Sequence, residues 1–342
     1  MIKVGFITSP LSSAHSVRGV GFYTKRLLAA MKDIGPKMNI EIIEILHPTS
    51  YILHQFDIIH YPYFDLFWHT LPIFKKTKTV VTVHDVIPLE FPDHYPPGLK
   101  GALNLELQKL ALSSVDRVIT VSYSCVKSVH KHLNISHEKI RLIYEAADKK
   151  FKPISNQKIL VQIKKKYHLP DKFVLYVGDV NWNKNIPGLI QACQSIRLPL
   201  VIIGKQAAEI EKMNLNHPEL FHLIDHKSLI INHSLRLGFV PDNDLVAIYN
   251  LARVYCQPSF AEGFGLPVLE ALACGTAVAC SQTDPLPELA GEAATYFDPY
   301  NVHQMAAAIL KAQRPKIKDQ KKDEFSWEKT GRETLQVYKE IL

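Results

Sequence analysis

The chain returns at short intervals to runs of Val and Ile, and that recurrence limits its fold more than any other feature. The runs are Val4–Ile7, Ile40–Ile45, Asp57–Tyr61, Thr79–Val83, Val115–Val121 and Ile140–Ile143, then Phe173–Val177, Leu200–Ile203, Leu235–Val240, Val254–Cys256 and Thr276–Cys280. Most are apolar at odd and even positions alike, as a strand must be when a parallel sheet covers both of its faces. Between them lie stretches with helical spacing, among them Gly21–Met31, Leu99–Leu112, Lys158–Tyr167, Asn185–Ile196 and Asp244–Leu251. Alternation of this kind predicts an α/β architecture with right-handed crossovers. It pauses once, at Lys149-Lys150-Phe151-Lys152-Pro153, and 342 residues suit about two domains. The expected domains are therefore 1–152 and 153–325, two Rossmann-like doubly wound sheets facing each other across a cleft, with ligands beyond the carboxyl ends of the strands. The charge-rich segment Arg314–Asp323 reads as a loop and Trp327–Leu342 as a final amphipathic helix.

Composition narrows the function classes. The five cysteines form no C-x-x-C pair, which argues against a disulfide framework or zinc site and for a reducing compartment. The opening Met1–Pro10 has no signal-peptide h-region, and no apolar run is long enough to cross a bilayer. The expected location is the cytoplasm, with contact to a membrane only from outside its hydrocarbon. Net charge is +7, and residues 1–150 hold 18 Lys and Arg against 13 Asp and Glu. A basic first half fits either a solvated surface or attraction to anionic lipid, with nucleic acid well behind both.

The string from Pro258 to Leu272, PSFAEGFGLPVLEAL, carries the chemistry. It follows the Val254 strand, so it lies at a strand end. Pro267 fits the first turn of a helix, where its missing N–H has no partner to lose. Gly263 and Gly265 strip side chains from the loop before that turn, leaving backbone amides and the positive helix end as a seat for phosphate or sugar hydroxyls. Glu262 in the loop and Glu270 one turn inside the helix could reach one ligand. Carboxylates accept from paired hydroxyls and repel diphosphate, which suggests a ligand with hydroxyls at both ends and phosphate between.

Glu262 and Glu270, embedded in EGFGLPVLEALACGTAVACS, closely resemble the signature of retaining glycosyltransferases of family 4, which have the GT-B fold. Leu237–Asp242, Leu286-Pro287-Glu288, Phe297-Asp298-Pro299, Tyr176-Val177-Gly178 and Lys184-Asn185 are similar to further segments of that family. So are Gly19-Val20-Gly21, Thr82–Pro88 and Ile119–Ser122 in the first half. The resemblance implies a hexose transferred from a GDP- or UDP-sugar to a glycan or lipid-linked acceptor, without a metal or other cofactor. It implies that Glu270 binds the ribose hydroxyls, while Glu262 and the amides of Phe264, Gly265 and Leu266 hold the sugar and diphosphate. Gly178, Gly263 and Val240 join the donor set. Lys184 would neutralise the departing diphosphate, the task of a compact cation. His84 would touch the transferred sugar, and Gly19, Gly21 and Asp85 would line the acceptor side. The His84-Asp85 segment is similar to mannosyl-type members and tilts the donor toward GDP. The fold family also implies that helix 326–342 crosses back to the first domain.

Two positions depart from the family pattern. Many members place Arg beside the donor-domain lysine, whereas here Asn183 precedes Lys184 and Asp179 follows Gly178, and Tyr144–Asp148 reads Tyr-Glu-Ala-Ala-Asp where members usually show Asn-Gly before the Asp. A catalytically degenerate nucleotide-sugar or glycan binder is therefore the alternative. Gly19 and Gly21 are no dinucleotide fingerprint, since the third glycine is absent and the turn after Ile7 is long.

Overall fold

The computed structural model describes residues 1–12, 19–46, 48, 50–216, 218–312 and 324–342. The segment Arg314–Asp323 lies outside the described residues, so its reading as a loop receives no structural answer. The chain forms two compact units, Met1–Ala146 with Phe325–Leu342, and Ala147–Glu324. The division thus falls between Ala146 and Ala147, before the lysine-rich pause, and residues 147–152 belong to the second unit. Phe151 shows why: its ring is buried in that unit's core and meets Tyr249 edge-on.

The first unit holds a six-stranded parallel sheet among its described residues. Its strands are β1 (Ile2–Ile7), β2 (Ile40–Ile45), β3 (Ile58–Tyr61), β4 (Lys78–Val83), β5 (Arg117–Thr120) and β6 (Ile140–Leu142), in the order β2-β1-β3-β4-β5-β6. The second unit's strands are β7 (Val174–Val177), β8 (Leu200–Ile203), β9 (Ser234–Leu237), β10 (Val254–Gln257), β11 (Ala277–Ser281) and β12 (Ala294–Phe297), in the order β12-β11-β10-β7-β8-β9. All pairings are parallel. The central strands β3, β8 and β10 are buried at every residue, which is why they read as unbroken apolar runs.

The final helix, Trp327–Glu340, packs on the helix Gly19–Ile34 in the first unit. Ser326 caps it through the Lys329 amide. Its buried side comprises Thr330, Gly331, Thr334, Leu335, Val337 and Tyr338, one helical face. Gly331 permits the close crossing, because a Cβ there would stand 3.0 Å from the Ala30 Cβ. Thr330 Oγ1 donates to the Tyr144 carbonyl at 2.7 Å, and Arg141 reaches Glu340 at 2.9 Å. The five cysteines are free and buried, in keeping with packing roles.

Candidate active site

In the second unit the strand order reverses between β7 and β10, the point where a doubly wound sheet opens to ligand at its carboxyl edge. Both loops leaving that edge carry charge. After β7 the chain turns through Gly178, whose φ is +149°, and reaches Lys184 at the end of a single turn, Trp182–Lys184. After β10 it passes Pro258 and Ser259 to Glu262. Lys184 Nζ donates to both carboxylate oxygens of Glu262, at 2.9 and 2.8 Å. Glu262 Oε1 also accepts from Gln257 Nε2 and from Ser259 Oγ, each at 2.6 Å. The Gln257 side-chain oxygen Oε1 in turn accepts from the phenol of Tyr255.

The Glu262 side chain is only 7% exposed and that of Lys184 is 21% exposed. A buried carboxylate held by a cation and two neutral donors is well satisfied, and losing either would be costly. Burial pushes the Tyr176 and Tyr255 phenols far above their ordinary range, and the charge of Glu262 adds to this. Both stay protonated, so Tyr255 remains a donor into the network.

Backbone ties hold the two loops together. Asn183 Nδ2 donates to the Ala261 carbonyl at 2.9 Å, and its own carbonyl accepts from the Phe260 amide at 2.8 Å. Asn185, in left-handed backbone with φ +49°, donates to the carbonyls of Pro258 and Pro299. The rings of Trp182, Phe260 and Tyr300 stack in series, with centroids 5.0 and 4.7 Å apart. Position 183 therefore supplies no second cation here. It fixes the loop that carries Glu262.

The helix Leu266–Ala273 follows, with Pro267 in its first turn. Gly265 sits at φ +106°, and a Cβ there would come within 2.5 Å of Leu286 Cδ2, so only glycine fits. Glu270 is buried and its Oε2 accepts from the Tyr249 phenol at 3.1 Å. Of the other expected donor residues, Gly263 and Phe264 lie buried in the loop and Leu266 is half-buried. The Val240 side chain is in the second unit's core, so it would offer a ligand backbone only.

The first unit places His84 immediately after β4, with both ring nitrogens engaged. Nε2 lies 3.0 Å from the Pro62 carbonyl and Nδ1 lies 3.3 Å from Glu145 Oε1. Two acceptors can be served at once only by the doubly protonated ring. Burial pulls the His84 pKa down, but the hydrogen bond and charge of Glu145, the Pro62 carbonyl and Asp85 outweigh it, and the net shift is upward. A sugar would meet a His84 nitrogen only in place of one of these partners. Asp85 accepts from the Ile87 amide at 3.1 Å and shapes the turn that follows.

Gly19 and Gly21, expected on the acceptor side, belong to a helix. They are the first and third residues of the helix Gly19–Ile34, not part of a loop. That helix packs its buried Tyr23 edge-on against His84, with centroids 4.5 Å apart. Beneath it runs a buried polar chain: Tyr23 OH to Thr82 Oγ1 at 3.2 Å, Thr82 to His60 Nε2 at 2.9 Å, His60 Nδ1 to Tyr338 OH at 2.6 Å, and Tyr338 OH to Met31 Sδ at 3.3 Å. One proton assignment satisfies every member. Tyr23 donates to Thr82, Thr82 to His60, His60 Nδ1–H to Tyr338, and Tyr338 to the thioether. Burial, aided by the charge of His84, lowers the His60 pKa to about 3. His60 is therefore neutral beside a charged His84.

The sequence alone assigns no role to Gln257, Ser259, Tyr249, Glu145 or the His60 chain. The first two stand within five residues of Glu262, and a polar pair at the end of an apolar strand was the available signal. Glu145, one of the positions that departs from the family pattern, is the His84 counter-ion. Among the described residues no group of three or more His, Cys, Asp or Glu side chains is placed to hold a metal ion. No helix among them is long and apolar enough to cross a membrane.

Comparison with known proteins gives a consistent picture. The family model described as glycosyl transferases group 1 matches residues 161–332, and that of glycosyltransferase family 4 matches residues 19–151. The O-antigen chain mannosyltransferase B of Escherichia coli is 30% identical over 332 residues, covering 92% of this chain and 83% of the relative. Among solved structures, sucrose-phosphate synthase from Thermosynechococcus elongatus superimposes with a TM-score of 0.71 at 18% identity, covering 100% of this chain and 99% of that one. HepE of Anabaena, solved with UDP and glucose, gives 0.68 at 14% identity, covering 99% of this chain and 100% of that one.

Proposed function

The chain belongs to the glycosyl transferases group 1 and has the GT-B fold, and from that premise we propose that it transfers mannose from GDP-mannose to a growing glycan or lipid-linked glycan, retaining the anomeric configuration. The observation that carries this reading is the Lys184–Glu262 pair at the strand-order reversal of the second sheet. The hard step is loss of a nucleoside diphosphate from the anomeric carbon through an oxocarbenium-like state. Charge then accumulates on the leaving phosphate. Lys184 has three N–H groups, and Glu262 occupies two of them. The third is left to face that phosphate, while Glu262 keeps the ammonium in place at no cost of reorganisation. The amide end of helix Leu266–Ala273 adds a second positive partner. Glu270, at the same helix, accepts the ribose hydroxyls. The lysine and the helix end do what a metal would do elsewhere, so transfer needs none. The acceptor hydroxyl attacks on the face that the diphosphate leaves and gives its proton to the departing phosphate.

The mannosyl assignment follows the relative's name, an O-antigen chain mannosyltransferase. The test is transfer from labelled GDP-mannose and UDP-glucose to lipid-linked oligosaccharides, with and without EDTA. Transfer from GDP-mannose alone, unaffected by EDTA and giving an α-linked product by NMR, is the expected result. Melting shifts with GDP but no transfer across the acceptor panel would favour the degenerate binder. Ligand at 100 times its Kd adds about 2.7 kcal/mol, so binding itself is easily read.

A further inference from the structure

Strand β12 ends in a turn that carries an aromatic ring onto a stack begun by two other loops of the second unit. Tyr300 is the outer member. Its ring centroid lies 4.7 Å from that of Phe260, and Phe260 lies 5.0 Å from Trp182, with interplanar angles of 26° at both steps. Trp182 stands two residues before Lys184, and Phe260 stands two before Glu262. The stack is therefore built on the same loops as the charged pair. Phe260 takes one face of the Tyr300 ring, and Tyr300 is still 70% exposed. A single exposed aromatic needs no explanation. A ring held flat at the end of a stack is different, because its free face is presented in one orientation and its rotamer entropy is already lost.

The turn that bears the ring is equally fixed. Asp298 Oδ1 accepts from the Tyr300 amide at 2.9 Å, Gln304 Oε1 from the Asp298 amide at 3.2 Å, and Asn301 Oδ1 from the Gln304 amide at 3.0 Å. Asn185 ties the Pro299 carbonyl to the loop of Lys184 at 2.8 Å. Asn301 and Gln304 thus spend their oxygens inside the turn. Among the described residues, their NH2 groups and the second oxygen of Asp298 meet no protein partner. An apolar ring face in a turn that also holds two amide NH2 groups and a carboxylate oxygen has the chemistry that takes a pyranose. The C–H bonds on one face of the sugar meet the negative face of the aromatic ring, and the hydroxyls around its rim both donate and accept. A nucleobase would suit the ring face but not its place. Val240, in the expected donor set, follows β9 at one edge of the sheet, while Tyr300 follows β12 at the other, five strand spacings or about 24 Å away.

We propose that Tyr300, backed by Phe260 and Trp182, is a glycan subsite of the second unit, on which a sugar unit of the acceptor chain rests away from the hydroxyl that reacts. The choice of ligand rests on the transferase reading, but the subsite is measurable without transfer. The probe is linear α-linked mannopentaose, titrated into the full chain by calorimetry. Tyr300→Ala should weaken its binding about fivefold to tenfold, whereas Tyr300→Phe, which keeps the ring, should bind as wild type does. Saturating GDP should leave the mannopentaose affinity unchanged. In transfer, Tyr300→Ala should raise KM for a mannopentaose acceptor about fivefold at unchanged kcat and leave KM for methyl α-mannoside as it was. A merely structural loss would move both acceptors alike. Because the ring is exposed, Tyr300→Ala should melt and bind GDP as wild type does. Mannopentaose that fails to bind wild type, binds Tyr300→Ala equally well or is displaced by GDP would overturn the proposal. Binding that needs Tyr300 in a chain that transfers no mannose would uphold the subsite and remove the transferase reading. Mannose transfer indifferent to Tyr300 at both acceptor lengths would do the reverse.

Discussion

The two units are built from the same kind of sheet but use their polar residues in opposite ways. In the second unit polar groups converge on one carboxylate, Glu262, and present the Lys184 ammonium at the carboxyl edge of β7 and β10. In the first unit they line up inside the core, from Tyr23 through Thr82 and His60 to Tyr338, and join the sheet to the helices on it. One network concentrates charge where a ligand can meet it. The other buries neutral groups where none can. The difference teaches that a doubly wound sheet divides its polar inventory by location: groups at strand ends are available for chemistry, and groups within strands serve cohesion.

The largest effect expected from this contrast is on rate. Lys184→Ala should lower kcat about 10²–10³-fold, the loss on removing one preorganised donor from a developing charge. Glu262→Ala should follow it closely, since it frees the lysine. A Glu262→Ala enzyme transferring at the wild-type rate would remove Glu262 from the donor site and end the comparison.

Next is a stability change confined to the first unit's histidines. His60 is neutral in the fold down to about pH 3, whereas in the unfolded chain it takes a proton below about 6.5. The unfolded state therefore binds more protons in that window, and stability falls as pH drops through it, on the order of a few kcal/mol. His84 has the opposite sign. Its raised pKa keeps the proton in the fold after the unfolded chain has lost it. That contribution is complete below about 6.5 and fades as pH rises through the raised value. Denaturant melts across pH should show both slopes, and Glu145→Gln should flatten the upper one alone.

Tyr338→Phe should destabilise by about 1–3 kcal/mol, because the His60 Nδ1–H is left buried without an acceptor. GDP binding should not change, which would sharpen the division of labour between the units. Smallest should be Gly331→Ala, which asks a Cβ to fit 3.0 Å from Ala30 and should cost about 1 kcal/mol, read as a lower melting temperature.

How much of this was legible in the sequence follows from the same contrast. The site string from Pro258 to Glu270 is continuous, so a loop, a helix start and two carboxylates could be named from spacing alone. Gln257 and Ser259 were passed over because their task appears only when the loop folds back on Glu262. The polar chain of the first unit was out of reach. His60 and Tyr338 are 278 positions apart, and no local period records that they meet. Strand β12, Ala294–Phe297, is not legible in the sequence because its first three residues are only half-buried at a sheet edge and lack the Val/Ile signal. Gly19 and Gly21, expected on the acceptor side by resemblance alone, sit in the first turn of the helix Gly19–Ile34, where low helix propensity costs least.

The helix that completes the first unit is encoded after the second. Residues 147–324 must all leave the ribosome before Phe325 does, 178 residues in total. At 5–20 residues per second that is a wait of roughly 10–35 s. During it β3 and the helix Gly19–Ile34 are present while Tyr338 is not, and the His60 ring nitrogen that Tyr338 will cover must find water instead. The second unit has all of its own strands by then. The order of synthesis therefore gives the second unit a head start, and the first unit closes its core last, with a segment made only after residue 324.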